Sequence, residues 1–191
     1  MLRVMLIDED EERRALLNGV LLDNGYEIVS EDSGTQNLHE AVKKAGPDVI
    51  IVGTDSPSRD SLEDICLLSR DAPRPIVMFT HDGDREKIRE AIRSGVSAYV
   101  VDGLKGDRIR ALVDVAVARF EAHQALMSEI ESMQGKLADR KVVERAKGIL
   151  MQQKNCSEEE AYRILRKAAM DKNVKLVEVA AQLIDMANLF T

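Results

Sequence analysis

The amino-acid sequence predicts an α/β protein with a doubly wound, five-stranded parallel sheet, followed by a long coiled-coil helix and a small three-helix bundle. Up to about residue 105, short apolar runs alternate with helical stretches of about 10–15 residues, which is typical of such a sheet. From about Asp107 onward the strand pattern stops, and apolar residues recur at helical spacing instead.

The five predicted strands are short apolar runs. Val49–Val52 is apolar throughout, as expected for a strand that is buried on both faces of a parallel sheet. Helices are predicted between the strands, and Asn24 followed by Gly25 marks the end of the first one. The predicted strands are Arg3–Ile7, Glu27–Ser30, Asp48–Val52, Pro75–Phe79 and Ala98–Val101, and the next three helices are Thr35–Lys44, Ser61–Arg70 and Arg85–Ser94.

Three domains are predicted, covering residues 1–107, 108–137 and 138–191. In the middle one, apolar residues follow a 4-3-4-3 spacing, interrupted by His123 and Gln134, which predicts a coiled-coil seam and hence a homodimer. The alternative is a long amphipathic helix that packs on its own domain. The predicted seam residues are Ile109, Val113, Ala116, Phe120, Met127, Ile130 and Leu137.

The last domain should contain three short helices, because each of three stretches carries an apolar stripe. We expect them at about Arg140–Gln153, from Ser157 to about Asp171, and at about Leu176–Leu189. Ser157 and Glu160 have the spacing of a capping box at the start of the second helix. Helices of this length are unstable alone, so the three should pack on each other.

Composition excludes several classes of function. The net charge of −7 combines an acidic stretch up to Leu137 with a slightly basic remainder, which allows nucleic-acid contact through the last domain only. With no Trp, three Phe and three Tyr, aromatic platforms for single-stranded nucleic acid are not expected. No apolar run is long enough for a membrane span, and the two scattered cysteines fit packing thiols in a reducing cytoplasm. We expect a non-enzymatic protein without a cofactor.

Residues after the predicted strands meet at one edge of the sheet, where α/β proteins bind their ligands. They are Asp8, Glu9, Gly53, Thr80 and Asp102. Asp8 and Glu9 offer oxygen ligands for Mg²⁺, but they equally fit an acidic first helical turn, so no metal is firmly expected. Thr80 should cap the turn that follows it.

Residues 1–105 resemble a response-regulator receiver domain, a flavodoxin-like fold, on the segments LIDED, PDVIIVGTDSPSRD, PIVMFT and GVSAYVVDG. The resemblance implies a phosphoacceptor aspartate at Gly53 and a lysine at Asp102, and this chain has neither. Phosphorylation at this pocket is therefore not expected. Asp55 is the candidate substitute for the acceptor, and Lys105 is the candidate substitute for the lysine.

Residues 138–190 resemble an ANTAR domain, the RNA-binding module of the AmiR/NasT transcription antiterminators. The segments ERAKGILM, SEEEAYRILRKAAM and LVEVAAQL carry this resemblance, while DSPSRD and AYVVDGL resemble the nitrate/nitrite branch of that family. The resemblance implies a dimer that binds tandem hairpins in leader mRNA and prevents formation of a terminator. It also implies control by a ligand-sensing partner protein that holds the regulator inactive.

Basic residues of the last domain are the candidate RNA contacts, because such side chains bind phosphates and exposed loop bases. Tyr162 could stack on a base or edge the core. Two alternatives from other classes stay open: a phosphoprotein that uses Asp55, and a protein-interaction adaptor that binds no nucleic acid. A helix-turn-helix DNA binder is less favoured, because Glu158–Glu160 is acidic. The candidate contacts are Arg140, Arg145, Lys147, Arg163, Arg166 and Lys167.

Overall fold

The structure, a computed structural model, describes residues 1–35, 38–102 and 106–188, except for the side chains of residues 106 and 107. It divides into two compact units, a first unit of Met1–Gln124 and a second unit of Ala125–Thr191. The strands are β1 (Arg3–Asp8), β2 (Glu27–Asp32), β3 (Val49–Gly53), β4 (Ile76–Thr80) and β5 (Ala98–Val101). The helices are α1 (Glu11–Asp23), α2 (Leu38–Ala45), α3 (Arg59–Asp71), α4 (Arg85–Arg93), α5 (Gly106–Lys154), α6 (Glu158–Lys172) and α7 (Leu176–Asn188).

The five strands form one parallel sheet in the order β2-β1-β3-β4-β5, which confirms the predicted fold class. The register pairs Asp8 at the end of β1 with Gly53 at the end of β3. Thr80 at the end of β4 pairs with Val101 of β5. The parallel arrangement therefore brings the predicted pocket residues to one edge of the sheet.

Apolar side chains cover both faces of this sheet. On one face Ile50 and Met78 pack with Ile65 of α3, and on the other Ile51 and Phe79 pack with other apolar residues of the first unit. All five residues of β3 are buried, because helices cover the strand from both sides. The central strands thus give the loops at their carboxyl ends a rigid base.

The first turns of α5 belong to the core of the first unit. Ile109, Val113 and Ala116 are each 0% exposed, and they pack in one cluster with Leu17 and Leu21 of α1. The prediction that these three residues lie in a dimer seam is therefore wrong, and the alternative of a helix packed on its own domain holds for them. A 4-3-4-3 spacing cannot distinguish the two cases, because a helix that packs on a sheet has the same period.

The predicted break between the coiled-coil helix and the first helix of the bundle is absent, since α5 runs without interruption from Gly106 to Lys154. The residues between Leu137 and Arg140 are Ala138 and Asp139, and neither forces a helix to end. The first unit also ends at Gln124 instead of residue 107, because the start of α5 packs on the sheet.

The second unit has its own core, formed by the last turns of α5 together with α6 and α7. Ala146, Leu165 and Ala180 are among its buried residues. The capping box predicted at Ser157 is present, with both hydrogen bonds to Glu160 formed. These contacts fix the start of α6 and therefore the direction of its exposed face.

Three predicted features extend beyond the described residues. The predicted start of α2 is Thr35, but the next two residues, Gln36 and Asn37, lie outside them. Lys105 and the predicted end of the last helix at Leu189 also lie outside them. Among the described residues, no helix combines the length and the apolar character needed to cross a membrane.

Candidate functional site

Asp8 and Arg13 form a closely bonded ion pair at the predicted pocket. Arg13 Nε donates to Asp8 Oδ2 at 2.7 Å, and Arg13 Nη2 donates to Asp8 Oδ1 at 2.8 Å. The backbone N–H of Asp10 donates to Asp8 Oδ1 at 2.9 Å. The Asp8 side chain is 0% exposed and that of Arg13 is 11% exposed. Hydrogen bonding to Asp8 raises the pKa of Arg13, so the guanidinium stays charged.

Gly53 provides the space that this pair occupies. A Cβ atom at position 53 would lie 2.6 Å from Asp8 Cγ and 3.2 Å from Arg13 Nε, and it would overlap the Asp8 carboxylate itself. Any other residue at this position would therefore displace Asp8 or Arg13. The glycine removes the carboxylate of an ordinary receiver and also makes room for an internal cation.

Asp55 completes the same cluster, which we name the Arg13 cluster: Asp8, Arg13 and Asp55. Arg13 Nη1 donates to Asp55 Oδ1 at 2.5 Å, although the Asp55 side chain is 81% exposed. This hydrogen bond lowers the pKa of Asp55. The Asp55 carboxylate, the candidate substitute for the phosphoacceptor, is therefore already paired with a cation.

Thr80 holds the neighbouring loops together. Its hydroxyl donates to the backbone carbonyl oxygen of Asp55 at 2.8 Å and accepts from the backbone N–H of Asp82 at 3.1 Å. The second bond is the turn cap that the sequence predicts. Because the Thr80 side chain is almost fully buried, these bonds fix the β3–α3 and β4–α4 loops relative to the sheet.

Lys87 of α4 supplies a second cation at the rim of the pocket. Its Nζ lies 2.7 Å from Asp82 Oδ2 and 2.5 Å from Ser56 Oγ. The hydrogen bond from Lys87, with further bonds from the Asp84 backbone N–H and the Ser56 hydroxyl, lowers the pKa of Asp82 to about 2. The carboxylate of Asp82 is thus fully ionised and paired at neutral pH.

Asp102 and Glu9 do not join either set of contacts. His81 Nδ1 lies 2.6 Å from Asp102 Oδ1 in an exposed pair, and Asp102 has a left-handed backbone with φ of 52°. Glu9 is exposed and lines a small cleft beside Gly53. The structure therefore brings together Asp8, Gly53 and Thr80, and places Glu9 and Asp102 at the margin.

In the second unit, three cations lie along the solvent-facing side of α6. Arg163, Arg166 and Lys167 are exposed, and none makes an ion pair with another residue that the structure describes. We name these three residues the basic face of α6. The buried residues Ala161, Leu165 and Ala169 lie on the opposite side of the helix, so the basic face is free of core packing.

Concave surfaces flank the basic face on either side. One has Ile164 in it, 37% exposed, and is lined by Lys154, Cys156, Glu160, Arg163, Ile164 and Lys167. The other has Tyr162 in it, 43% exposed, and is lined by Asp139, Arg140, Val143, Glu144, Tyr162, Lys175, Leu176 and Val177. Both combine cations with an accessible apolar or aromatic side chain. Arg145 is exposed elsewhere and donates to Asn188 at 3.4 Å.

Lys147 is placed differently from the other predicted RNA contacts. Its Nζ lies 2.8 Å from Glu144 Oε1 and 2.6 Å from Glu158 Oε1, and its side chain is only 8% exposed. The hydrogen bond to Glu144 raises the pKa of Lys147 most, and the hydrogen bond to Glu158 raises it further. The prediction that Lys147 contacts RNA is therefore corrected, because its charge is buried and joins the end of α5 to the start of α6.

Four cations of the pocket and of the two concave surfaces are not predicted by the sequence. Arg13 and Lys87 lie in ordinary charged helical stretches, and their partners are brought close only by the fold. Lys154 and Lys175 stand next to helix ends in the sequence, although each lines one of the concave surfaces beside α6. Only the position of Lys154, shortly before the capping box at Ser157, could have indicated that its side chain lies near the start of α6.

Comparisons with known proteins identify both units. The family model for the response regulator receiver domain matches residues 4–114, and the model for the ANTAR domain matches residues 131–184. Solved structures agree with this fold. The signal receiver domain of a modulated diguanylate cyclase from Desulfovibrio desulfuricans G20 superposes with a TM-score of 0.57 at 18% identity. The superposition covers 64% of this chain and 98% of that one. The receiver domain of a putative response regulator NarL from Mycobacterium tuberculosis gives 0.52 at 18% identity, covering 60% and 95%.

Sequence relatives extend the match over most of the chain. The transcriptional regulatory protein PdtaR of Mycobacterium tuberculosis (strain H37Rv) is 30% identical over 178 residues, which cover 93% of this chain and 87% of that protein. The nitrate regulatory protein of Klebsiella oxytoca is 40% identical over 76 residues, which cover 39% of this chain and 19% of that protein. The chain therefore belongs to the response regulators that carry a C-terminal ANTAR domain. Neither matched model describes an enzyme family.

Proposed function

We propose that this response regulator is an RNA-binding transcription antiterminator whose second unit binds hairpins in leader mRNA. The observation that carries the proposal is the basic face of α6, which is exposed and makes no ion pair among the described residues, within a region that matches the ANTAR model. Arginine and lysine side chains of this kind bind phosphates, and arginine also stacks on exposed loop bases.

The two concave surfaces beside α6 favour RNA loops over a uniform duplex. Each offers a cation next to an accessible side chain, Ile164 in one and Tyr162 in the other, against which an unstacked base can pack. Arg140 belongs to the Tyr162 surface and supplies a charge there. Lys154 and Lys175 are added as contacts, and Lys147 is left out because it is buried.

The test is a binding titration with a leader RNA that contains two hairpins, monitored by fluorescence anisotropy at several salt concentrations. Replacing all three residues of the basic face by glutamine should weaken binding by at least about tenfold, which is about 1.4 kcal/mol. The slope of log K against log salt should fall by about 0.7–1 for each phosphate that the variant no longer binds. The matched control is Arg89→Gln, an exposed arginine of α4 in the first unit, which should leave both quantities unchanged. Equal affinity of the triple variant and the natural chain would remove RNA binding from this face.

We further propose that the regulator acts as a homodimer through the exposed part of α5. The remaining seam residues fit this role, because Met127, Ile130 and Leu137 are 43%, 39% and 55% exposed and Phe120 is half-buried. Light scattering coupled to size exclusion should give a dimer for the natural chain and a monomer for Ile130→Glu. Ser132→Glu, an exposed neighbour outside the 4-3-4-3 pattern, should stay dimeric. A dimer in all three samples would exclude this seam.

We also propose that a partner protein, and not phosphorylation, controls RNA binding by this regulator. Asp8, Arg13 and Asp55, the three charges of the Arg13 cluster, are already paired with one another, which supports an input other than an aspartyl phosphate. RNA affinity should be the same with and without a small phosphodonor and Mg²⁺. It should fall when the partner captured from native lysate is added in purified form. A stable phosphoryl label that is lost in Asp55→Ala would contradict this mode of control.

A further inference from the structure

The Arg13 cluster carries an inference that does not depend on RNA binding by the second unit. A receiver pocket holds a divalent cation between carboxylates, and Mg²⁺ needs several free oxygen ligands in a near-octahedral arrangement. In this chain both oxygens of Asp8 accept hydrogen bonds from the guanidinium of Arg13, and one of them also accepts from Asp10. Position 53 contributes no oxygen from a side chain.

Asp55 does not supply the missing ligands. Its carboxylate accepts from Arg13 Nη1, and its backbone carbonyl oxygen accepts from the Thr80 hydroxyl. Among the residues that the structure describes, no three side chains of His, Cys, Asp or Glu come together as metal ligands. The residues present therefore do not fit the metal that the receiver family implies.

We propose that the guanidinium of Arg13 replaces the divalent cation, so that the Arg13 cluster is a permanent, metal-free link between α1 and the β3–α3 loop. Arg13 supplies the positive charge that Asp8 needs when it is buried, and its third nitrogen binds Asp55 as the loop leaves β3. Gly53 is required because any side chain there would overlap Asp8. The β3–α3 loop is thus tied to α1 at Asp55 by the protein's own side chains.

Substitutions can separate the effect of the absent carboxylate at position 53 from the effect of Arg13. If the absent carboxylate at position 53 were the whole reason for lost metal binding, Gly53→Asp alone would restore it. If Arg13 occupies the cation site, Gly53→Asp will restore nothing until Arg13 is also replaced. Arg14 is the matched control residue, because it neighbours Arg13 on α1 and donates to the backbone oxygen of Asp8 at 3.0 Å without contacting its carboxylate.

The experiment is calorimetric titration of the full chain with MgCl₂ at neutral pH, after circular dichroism has shown that each variant is folded. We expect no binding by the natural chain, by Gly53→Asp, or by Gly53→Asp with Arg14→Gln. Gly53→Asp with Arg13→Gln should bind Mg²⁺ measurably, with an affinity at least about tenfold above the detection limit of the titration. The Arg14 control removes the general effect of losing one positive charge.

Three results would overturn the inference: Mg²⁺ binding by the natural chain, binding by Gly53→Asp that equals the Arg13 double variant, or a folded double variant that does not bind. If Arg13→Gln prevents folding, Arg13→Lys takes its place, because lysine keeps a charge for Asp8 but cannot direct two nitrogens at it. A smaller gain in Mg²⁺ affinity is then expected, and no gain in the folded Arg13→Lys double variant overturns the inference.

Discussion

The charged side chains of the Arg13 cluster in the first unit are paired with one another, whereas three cations along α6 in the second unit face solvent without an ion pair among the described residues. In the first unit, Asp8 and Arg13 are buried together, so each would be costly without the other. In the second unit, the charges cost little to expose and are available to a polyanion. Under the proposed function, the paired charges of the Arg13 cluster serve conformation and the exposed cations of α6 serve RNA binding.

The largest effect is expected from removing Arg13, the cation of the Arg13 cluster in the first unit. Arg13→Leu should lower the free energy of unfolding by about 3–5 kcal/mol, because the buried Asp8 carboxylate loses its partner. Urea denaturation followed by circular dichroism measures the change. Arg59→Leu serves as the control, since its ion pair with Glu63 is exposed and should contribute little. Equal losses in the two variants would mean that the Asp8–Arg13 pair does not stabilise the fold.

A substitution at Gly53 disturbs the Asp8–Arg13 pair by filling its space and leaves both charges in place. Gly53→Ala should cost about 1–3 kcal/mol, because the added Cβ must push aside a buried carboxylate. The control is Gly19→Ala in α1, where a Cβ would meet nothing within 4 Å and should stabilise the helix by about 0.5–1 kcal/mol. Thermal unfolding of both variants measures these changes in stability. An unchanged melting temperature in Gly53→Ala would refute the steric argument.

Lys147 allows the same comparison within the second unit, because it is a paired cation in the unit that carries the basic face of α6. Lys147→Met should lower the stability of the second unit, since it removes the link between Glu144 and Glu158. It should leave the salt slope of RNA binding unchanged under conditions where the variant is folded. Salt-dependent anisotropy titrations of this variant next to Lys167→Met distinguish the two roles. A reduced slope in Lys147→Met would place Lys147 on the RNA after all.

The smallest effect is expected from pH. The pKa of Asp82 is lowered to about 2 from its ordinary 3.8, so the folded state binds fewer protons than the unfolded state between these values. The contribution of Asp82 to stability is therefore complete above about pH 4 and is lost as the pH falls toward 2. Denaturation midpoints at pH 5, 4 and 3 should decline less steeply in Asp82→Asn than in the natural chain. Parallel declines would show that the bond to Lys87 does not form in solution.

Local patterns are sufficient to predict the sheet and most helix limits. Val49–Val52 is predicted as a buried strand from its apolar run alone, and Ser157 with Glu160 marks the start of α6. The pairing of Asp8 with Arg13 cannot be predicted in this way, because it depends on the space at Gly53 and on how α1 leaves β1. The seam fails at Ile109 for a related reason, since period alone does not say what a helix packs against.

The geometry at Gly53 also limits how this receiver can change by mutation. Glycine and aspartate codons can differ by a single base, so an aspartate at position 53 is a short mutational step away. That step meets the Asp8 carboxylate and the Arg13 guanidinium, and it brings a third acid into a site that has one cation. Restoring the acceptor therefore requires a change at position 13 as well. The consequence of a carboxylate at position 53 therefore depends on the residue at position 13, because that carboxylate would meet the ion pair that Arg13 forms with Asp8.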